Sequence, residues 1–214
     1  MRVVVFAISL LALGLSACAE QQPEPFYASS SYGPPKPLVR HVVPKPVAKP
    51  RGAQPLAPIV PGGPPGPLVV ARVGSYMDAL EADLRRHLHG KGISVARQGD
   101  DITVVVRNDR LFTDGGMLAG DDILEPLGAV LDGYVHTKVT INGFTDTSGT
   151  PDRNLEISQK RAREVADALS HEGVSSERIT WQGLGENHLR VATGDNKKEP
   201  RNRRIEIYVK ARPG

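Results

Sequence analysis

The residues of this 214-residue chain best placed to do chemistry are a carboxylate and a guanidinium in neighbouring segments. Asp146 lies in a polar loop after an apolar strand pattern, with Ser148 beside it, and Arg161 lies in the helical pattern that follows. An acid on a loop and a base on the next helix can face one shallow pocket, which we take as the candidate binding site. The alternative is a structural ion pair between Asp146 and Arg161.

The elements around this pair follow from local patterns. Val139 and Ile141 alternate with polar residues, which predicts a half-buried strand. Gly143 and Gly149 bracket the loop and tolerate backbone angles that other residues resist. Pro151 is suited to open a helix, with Thr150 or Asn154 as its cap, and Gly173 to end it. The expected apolar stripe of that helix is Leu155, Ile157, Ala162, Val165, Ala166 and Leu169.

Several spaced motifs in this region resemble the peptidoglycan-binding OmpA-like (OmpA/MotB C-terminal) domain, over residues 72–210. They are Gly143-Phe144-Thr145-Asp146, Gly149, the run NLEISQKRA over 154–162, and Asn202-Arg203-Arg204 before a strand over 205–209. Two departures stand out. Phe144 replaces the family's usual histidine, and the final loop up to residue 202 is shorter and lacks the family's proline.

The resemblance implies a ligand and residue roles. The ligand is the diaminopimelate of peptidoglycan stem peptides, whose end carbon bears an ammonium and a carboxylate. By resemblance, Asp146 takes the ammonium and Arg161 the carboxylate, because a planar guanidinium meets a carboxylate with two parallel hydrogen bonds. Asn154 and Arg203 complete the family pattern. Ser148 is a secondary contact, as is Asp114 or a neighbour. No cofactor and no metal site is predicted.

The first residues indicate export and lipid attachment. A short apolar run behind Arg2 ends in Leu15-Ser16-Ala17-Cys18, which resembles a bacterial lipobox. We expect a signal peptide over 1–17 and lipidation of Cys18, the only cysteine in the sequence. An ordinary secretory signal with an incidental cysteine is the alternative. Ala19 replaces the aspartate that retains lipoproteins in the inner membrane, which favours the outer membrane, with the domain facing the periplasm.

Residues 18–70 are predicted to form a linker. Fourteen of the 18 prolines lie between residues 21 and 70, with five basic residues and one acid. This composition favours extended polyproline II and a spacer role, although such segments can also bind partners. Residues 71–214 hold 21 basic and 22 acidic residues, so the basic balance belongs to the linker. The folded part therefore shows no nucleic-acid footprint.

Residues 71–214 are long enough for one domain. Met77, Leu80, Leu84 and Leu88 predict a helix, and residues 93–106 a hairpin turning at 98–101. Asp121 or Asp122 is expected to cap the next helix, with Pro126 in its first turn. Strands follow at 179–184 and 205–209. The predicted class is α/β (α+β), with helices packed on one mixed sheet, in agreement with the family's βαβαβ sandwich.

Enzymatic chemistry has little support. His136, His171 and His188 are isolated, without a serine or a metal-ligand partner at a telling spacing. Two non-enzymatic hypotheses stay open. One is an outer-membrane lipoprotein that anchors the envelope to peptidoglycan. The other is a wall-clamping subunit of a type IV (Dot/Icm-like) or type VI secretion complex, which would add secretion proteins as partners.

Overall fold

The computed structural model describes residues 68 and 70–212. The predicted signal peptide, Cys18 and nearly all of the predicted linker therefore lie outside the described residues. Within this part of the chain, no helix has both the length and the apolar character needed to cross a membrane. The helices are α1 (Val73–Leu88), α2 (Asn108–Leu111), α3 (Asp121–Gly133) and α4 (Pro151–His171), and the strands are β1 (Ser94–Gln98), β2 (Asp101–Arg107), β3 (Thr137–Phe144), β4 (Ile179–Gly183) and β5 (Arg204–Ala211).

The five strands form one mixed sheet in the order β1-β2-β5-β3-β4. β3 and β4 are parallel and joined through α4, whereas every other neighbouring pair is antiparallel. The last strand therefore lies in the middle of the sheet, between the hairpin and the β3-α4-β4 unit. The predicted fold class, with helices packed on one mixed sheet, is confirmed.

The core lies between the sheet and three helices. α1 and α4 pack on the strands, and α3 packs against both helices. Alternate residues of each central strand face this core, as the period of a strand requires, and in β5 they are Ile205, Ile207 and Val209. Leu68 is also buried in the core, ahead of the predicted domain start at residue 71.

The start of α3 differs from the prediction. Gly120 is the N-cap and makes no side-chain cap, so Asp121 and Asp122 lie in the first turn instead of capping it. Their negative charge still suits the positive end of the helix dipole. Pro126 lies in the second turn and lacks the N–H that would bond to the Asp122 carbonyl. Lys91 Nζ donates to that carbonyl at 2.7 Å and satisfies it.

α4 begins as predicted but buries a different stripe. The Thr150 hydroxyl accepts from Arg153 N, so Thr150 and not Asn154 is the cap. The predicted stripe is wrong at its first two positions, because Leu155 is 39% exposed and Ile157 is only partly buried. Polar Asn154 and Ser158 take the inward positions, since this end of the helix lies against a loop and not against the apolar core.

Candidate functional site

The loop between β3 and α4 (residues 145–150) is held against the final loop (residues 184–203). Thr145 N donates to the Gly185 carbonyl at 2.8 Å, and Leu184 N donates to the Gly143 carbonyl at 2.9 Å. Gly149 has a φ of 107°, which favours glycine, and lets the chain turn into α4. The two loops therefore form one layer at the end of the parallel strand pair.

Two glycines seat α4 close to the sheet. Gly143 and Gly183 are register partners in β3 and β4. A Cβ on Gly143 would lie 2.4 Å from the Ser158 carbonyl oxygen, and one on Gly183 would lie 2.2 Å from Gln159 N. Because these are backbone atoms, any side chain here would push the helix outward. The glycine pair thus sets the height of α4, and with it the position of Arg161 and Asn154.

Asp146 is buried and its carboxylate accepts four contacts. Oδ1 accepts from Ser148 N at 3.2 Å and from the Ser148 hydroxyl at 2.5 Å. Oδ2 accepts from Glu199 N at 3.0 Å and lies 3.4 Å from Arg203 Nη1. Each oxygen of a carboxylate offers about two acceptor positions, so this carboxylate is fully engaged.

Arg161 does not pair with Asp146. Its guanidinium lies over the Phe112 ring, 5.3 Å from the ring centroid, at the distance of a cation–π contact. The side chain is partly buried, and burial together with the nearby Arg203 cation lowers its pKa below the usual range. Within the described residues it makes no hydrogen bond or ion pair. The alternative of an Asp146–Arg161 ion pair is therefore wrong, and Arg203 supplies the cation.

The other predicted site residues divide into two groups. Asn154 is buried, and its side-chain amide donates to the Asp146 carbonyl at 3.1 Å and to Glu186 Oε2 at 2.7 Å. Ser148 faces Asp146 directly. Asp114 lies exposed in the turn after Phe112, and within the described part of the chain no hydrogen bond or ion pair joins it to the others. The structure thus brings together four predicted residues around the loop, with Arg161 near them. The four are Asp146, Ser148, Asn154 and Arg203.

Comparison with known proteins supports an OmpA-like domain. The model of the OmpA family matches residues 119–203, an interval that holds the 145–150 loop, α4 and Arg203. The chain carries an OmpA-like domain. Within the described residues of this domain, no group of three or more His, Cys, Asp or Glu side chains could hold a metal ion.

Individual proteins match the OmpA-like domain over different lengths. Probable lipoprotein YiaD of Escherichia coli (strain K12) is 39% identical over 140 residues, 64% of this chain and 64% of YiaD. The peptidoglycan-binding protein ArfA of Mycobacterium tuberculosis (strain ATCC 25618 / H37Rv) is 36% identical over 98 residues, 45% of this chain and 30% of ArfA. The chain therefore spans less than two thirds of either relative.

A solved structure agrees with the fold of the OmpA-like domain. The cell wall anchor of the type VI secretion system from Pseudomonas aeruginosa superposes with a TM-score of 0.52 and 28% identity. The match covers 60% of this chain and 96% of the chain in that structure.

Thr147 is a residue of the OmpA-like domain that sequence reasoning missed. Its buried hydroxyl donates to the Gly194 carbonyl at 2.7 Å and accepts from Lys197 N at 3.1 Å. These contacts hold the final loop over Asp146, where Glu199 N also binds. The partners lie about 50 residues away, so no local pattern could have indicated them.

Two motif residues, Arg204 and Phe144, contact each other across neighbouring strands. Arg204 is buried, with its guanidinium 3.8 Å from the centroid of the Phe144 ring and its Nε 2.6 Å from Glu206 Oε1. It also donates to the carbonyls of Asn202 and His188. Phe144, the departure from the family pattern, is thus the face on which Arg204 stacks, and the pair fixes both ends of the final loop.

Proposed function

We propose that this OmpA-like domain binds peptidoglycan non-covalently, through the diaminopimelate of the stem peptide. The observation that carries the proposal is Arg161, which is partly buried near the Asp146 carboxylate and makes no ion pair among the residues that the structure describes. A ligand carbon bearing an ammonium and a carboxylate supplies the missing anion and offers a cation to Asp146. The name of ArfA, a peptidoglycan-binding protein, supports peptidoglycan as the ligand, and the name of YiaD, a probable lipoprotein, supports a lipid anchor.

Each site residue has a role in this proposal. Asp146 accepts the ligand ammonium, and the guanidinium of Arg161 binds the carboxylate, with Arg203 as a second donor. Asn154 fixes the loop backbone at Asp146, and Ser148 orients its carboxylate. Asp114, on the exposed turn after Phe112, is a secondary contact to the rest of the stem peptide. The role is one of binding, without chemical turnover.

The affinity expected of such a site is modest. Hydrogen bonds to charged groups contribute ~1.5–3 kcal/mol each before ordering costs, which points to micromolar to millimolar binding. Weak binding is sufficient when the domain is tethered close to a polymer that repeats its ligand. We propose that this tether is a lipid on Cys18, placed in the outer membrane, followed by the proline-rich linker. The domain then faces the periplasm and anchors the envelope to the wall.

A second candidate role is a wall clamp within a secretion complex. The similarity to the type VI wall anchor of Pseudomonas aeruginosa favours it. In that case the domain binds the same ligand, and the linker joins it to secretion proteins of a type VI or type IV (Dot/Icm-like) machine. Cross-linking in cells, followed by identification of the partners that remain after wall digestion, separates this role from a general anchor.

The binding proposal is tested by co-sedimentation of the full chain with purified sacculi of the diaminopimelate type. Asp146→Ala and Arg161→Ala are compared with Arg163→Ala, which removes an exposed arginine from the same helix, 3.7 Å from Asp167. We expect the wild type and Arg163→Ala to sediment and the two site variants to stay in solution with normal thermal melts. A wild type that stays in solution refutes the proposal.

A further inference from the structure

The Asp146 carboxylate presents a problem for an incoming ammonium, because it has no free acceptor position. Two of its four contacts come from backbone N–H groups, those of Ser148 and Glu199. The Glu199 segment is held in place by Thr147, so neither donor can leave without moving a loop. A ligand ammonium must therefore displace either the Ser148 hydroxyl or Arg203.

Arg203 is the contact most easily displaced. Its Nη1 lies 3.4 Å from Asp146 Oδ2, the longest of the four contacts, whereas the Ser148 hydroxyl lies 2.5 Å from Oδ1. The Arg203 side chain is 37% exposed and the Asp146 side chain only 3%, so the arginine has room to move and the carboxylate has none. A long flexible side chain at the edge of the site also rearranges without any change in the backbone.

A ligand carboxylate would give the displaced Arg203 side chain a new anionic partner. Arg161 lies close enough for the two cations to oppose each other, and the lowered pKa of Arg161 reflects this in part. An anion placed between the two guanidinium groups relieves that repulsion and can accept hydrogen bonds from both. The displaced arginine would therefore exchange one carboxylate, that of Asp146, for another on the ligand.

We propose that Arg203 occupies the ammonium position on Asp146 in the empty site and moves onto the ligand carboxylate on binding, so that it selects against ligands with an ammonium alone. This inference rests on the proposed function and names the residue that sets its specificity. A zwitterionic end replaces one ion pair by three contacts of opposite charge. An ammonium without a carboxylate leaves Arg203 and Arg161 as two unpaired cations in one site.

The test compares two disaccharide tetrapeptides that differ only at the third residue of the peptide, meso-diaminopimelate or L-lysine. Both offer a side-chain ammonium, and only the first offers a carboxylate on the same carbon. Binding to the full chain is measured by ligand-observed NMR titration, which reaches millimolar affinities. The variants are Arg203→Ala and Arg203→Gln, and circular dichroism checks their folding. The glutamine keeps much of the side-chain length and provides a second variant if alanine perturbs the loop.

We expect the wild type to bind the diaminopimelate peptide and to bind the lysine peptide at least tenfold more weakly. Both Arg203 variants should bind the lysine peptide about tenfold more tightly than the wild type does, because the competing cation is gone. A gain of binding cannot arise from misfolding. Arg161→Ala is the matched control, since it removes the same charge from the same site without freeing Asp146, and it should show no gain.

The outcomes separate the inference from the function on which it rests. One outcome is that the wild type binds the diaminopimelate peptide while neither Arg203 variant gains affinity for the lysine peptide. In that case the proposed exchange of Arg203 from Asp146 to the ligand carboxylate is wrong, and the binding proposal stands. An equal gain in Arg161→Ala would also overturn the exchange, since it would reduce the effect to net charge. If the wild type binds neither peptide, the proposed function fails and the exchange fails with it.

Discussion

Replacing Thr147 by valine removes one hydroxyl and almost no volume, and it tests whether that hydroxyl holds the final loop over the site. The change deletes the bonds to the Gly194 carbonyl and from Lys197 N. At a net ~1 kcal/mol for each hydrogen bond, the loop should lose about 2 kcal/mol of stability against local opening. That loss corresponds to an approximately thirtyfold rise in the fraction of open loop.

Hydrogen exchange measures this opening directly. The amides of Lys197 and Glu199 should exchange about thirtyfold faster in Thr147→Val, because they donate to the side chains of Thr147 and Asp146 across the loop contact that the hydroxyl holds closed. Binding to sacculi should weaken as well, since Asp146 loses a fixed donor whenever the loop is open. The matched control is Thr140→Val, which removes a hydroxyl from a partly buried pair with Thr180 on the sheet. Unchanged protection at both amides in Thr147→Val would refute the reasoning.

Three further predictions concern the elements that support the site. Gly143→Ala places a Cβ 2.4 Å from a backbone carbonyl oxygen of α4 and should cost about 3 kcal/mol in denaturant unfolding, whereas Gly74→Ala, in open space on α1, should be neutral or stabilising. Arg178→Met removes donors to the carbonyls of three residues at the α3–β3 junction and should cost about 3 kcal/mol by the same measurement; a loss below 1 kcal/mol would show that water replaces the guanidinium. Hydrogen bonds from Arg201 lower the pKa of Glu199 to about 2 from its ordinary value of 4.5. This depressed pKa means that the pair stabilises the folded loop above pH 4.5 and loses its effect as the pH falls towards 2. NMR titration of the Glu199 carboxyl should show the low midpoint, and Arg201→Ala should raise it.

The elements that sequence reasoning predicted correctly are those set by neighbouring residues. The alternation of Ile205, Ile207 and Val209 is enough to indicate a strand with one buried face, and the hairpin needs only its turn and its two flanking patterns. The α4 stripe failed at Leu155 and Ile157 because periodicity shows which residues share a face, but not what lies opposite that face. Opposite the first turns of α4 lie a polar loop and two glycines.

The candidate site was predictable in its composition but not in its pairing. Asp146 and two arginines follow from motif spacing. Which arginine pairs with Asp146 depends on the path of a loop of about 20 residues, and the sequence does not encode that path in any local pattern. The burial of Arg204 has the same origin, since it requires Phe144, on a neighbouring strand, to supply a flat apolar face. Thr147 shows this limit of local patterns most clearly, because its hydrogen-bond partners, Gly194 and Lys197, come close to it only once the chain has folded.

The central position of β5 determines when the sheet and the candidate site are completed during folding. The hairpin β1-β2 and the β3-α4-β4 unit do not pair with each other, and both pair with a strand that comes after them in the chain. Such pairing between distant segments is slow and leaves strand edges open in the meantime. Arg203 directly precedes β5, so the step that completes the sheet also brings the last charged residue to the candidate site. Until β5 has paired, the proposed peptidoglycan site is therefore incomplete.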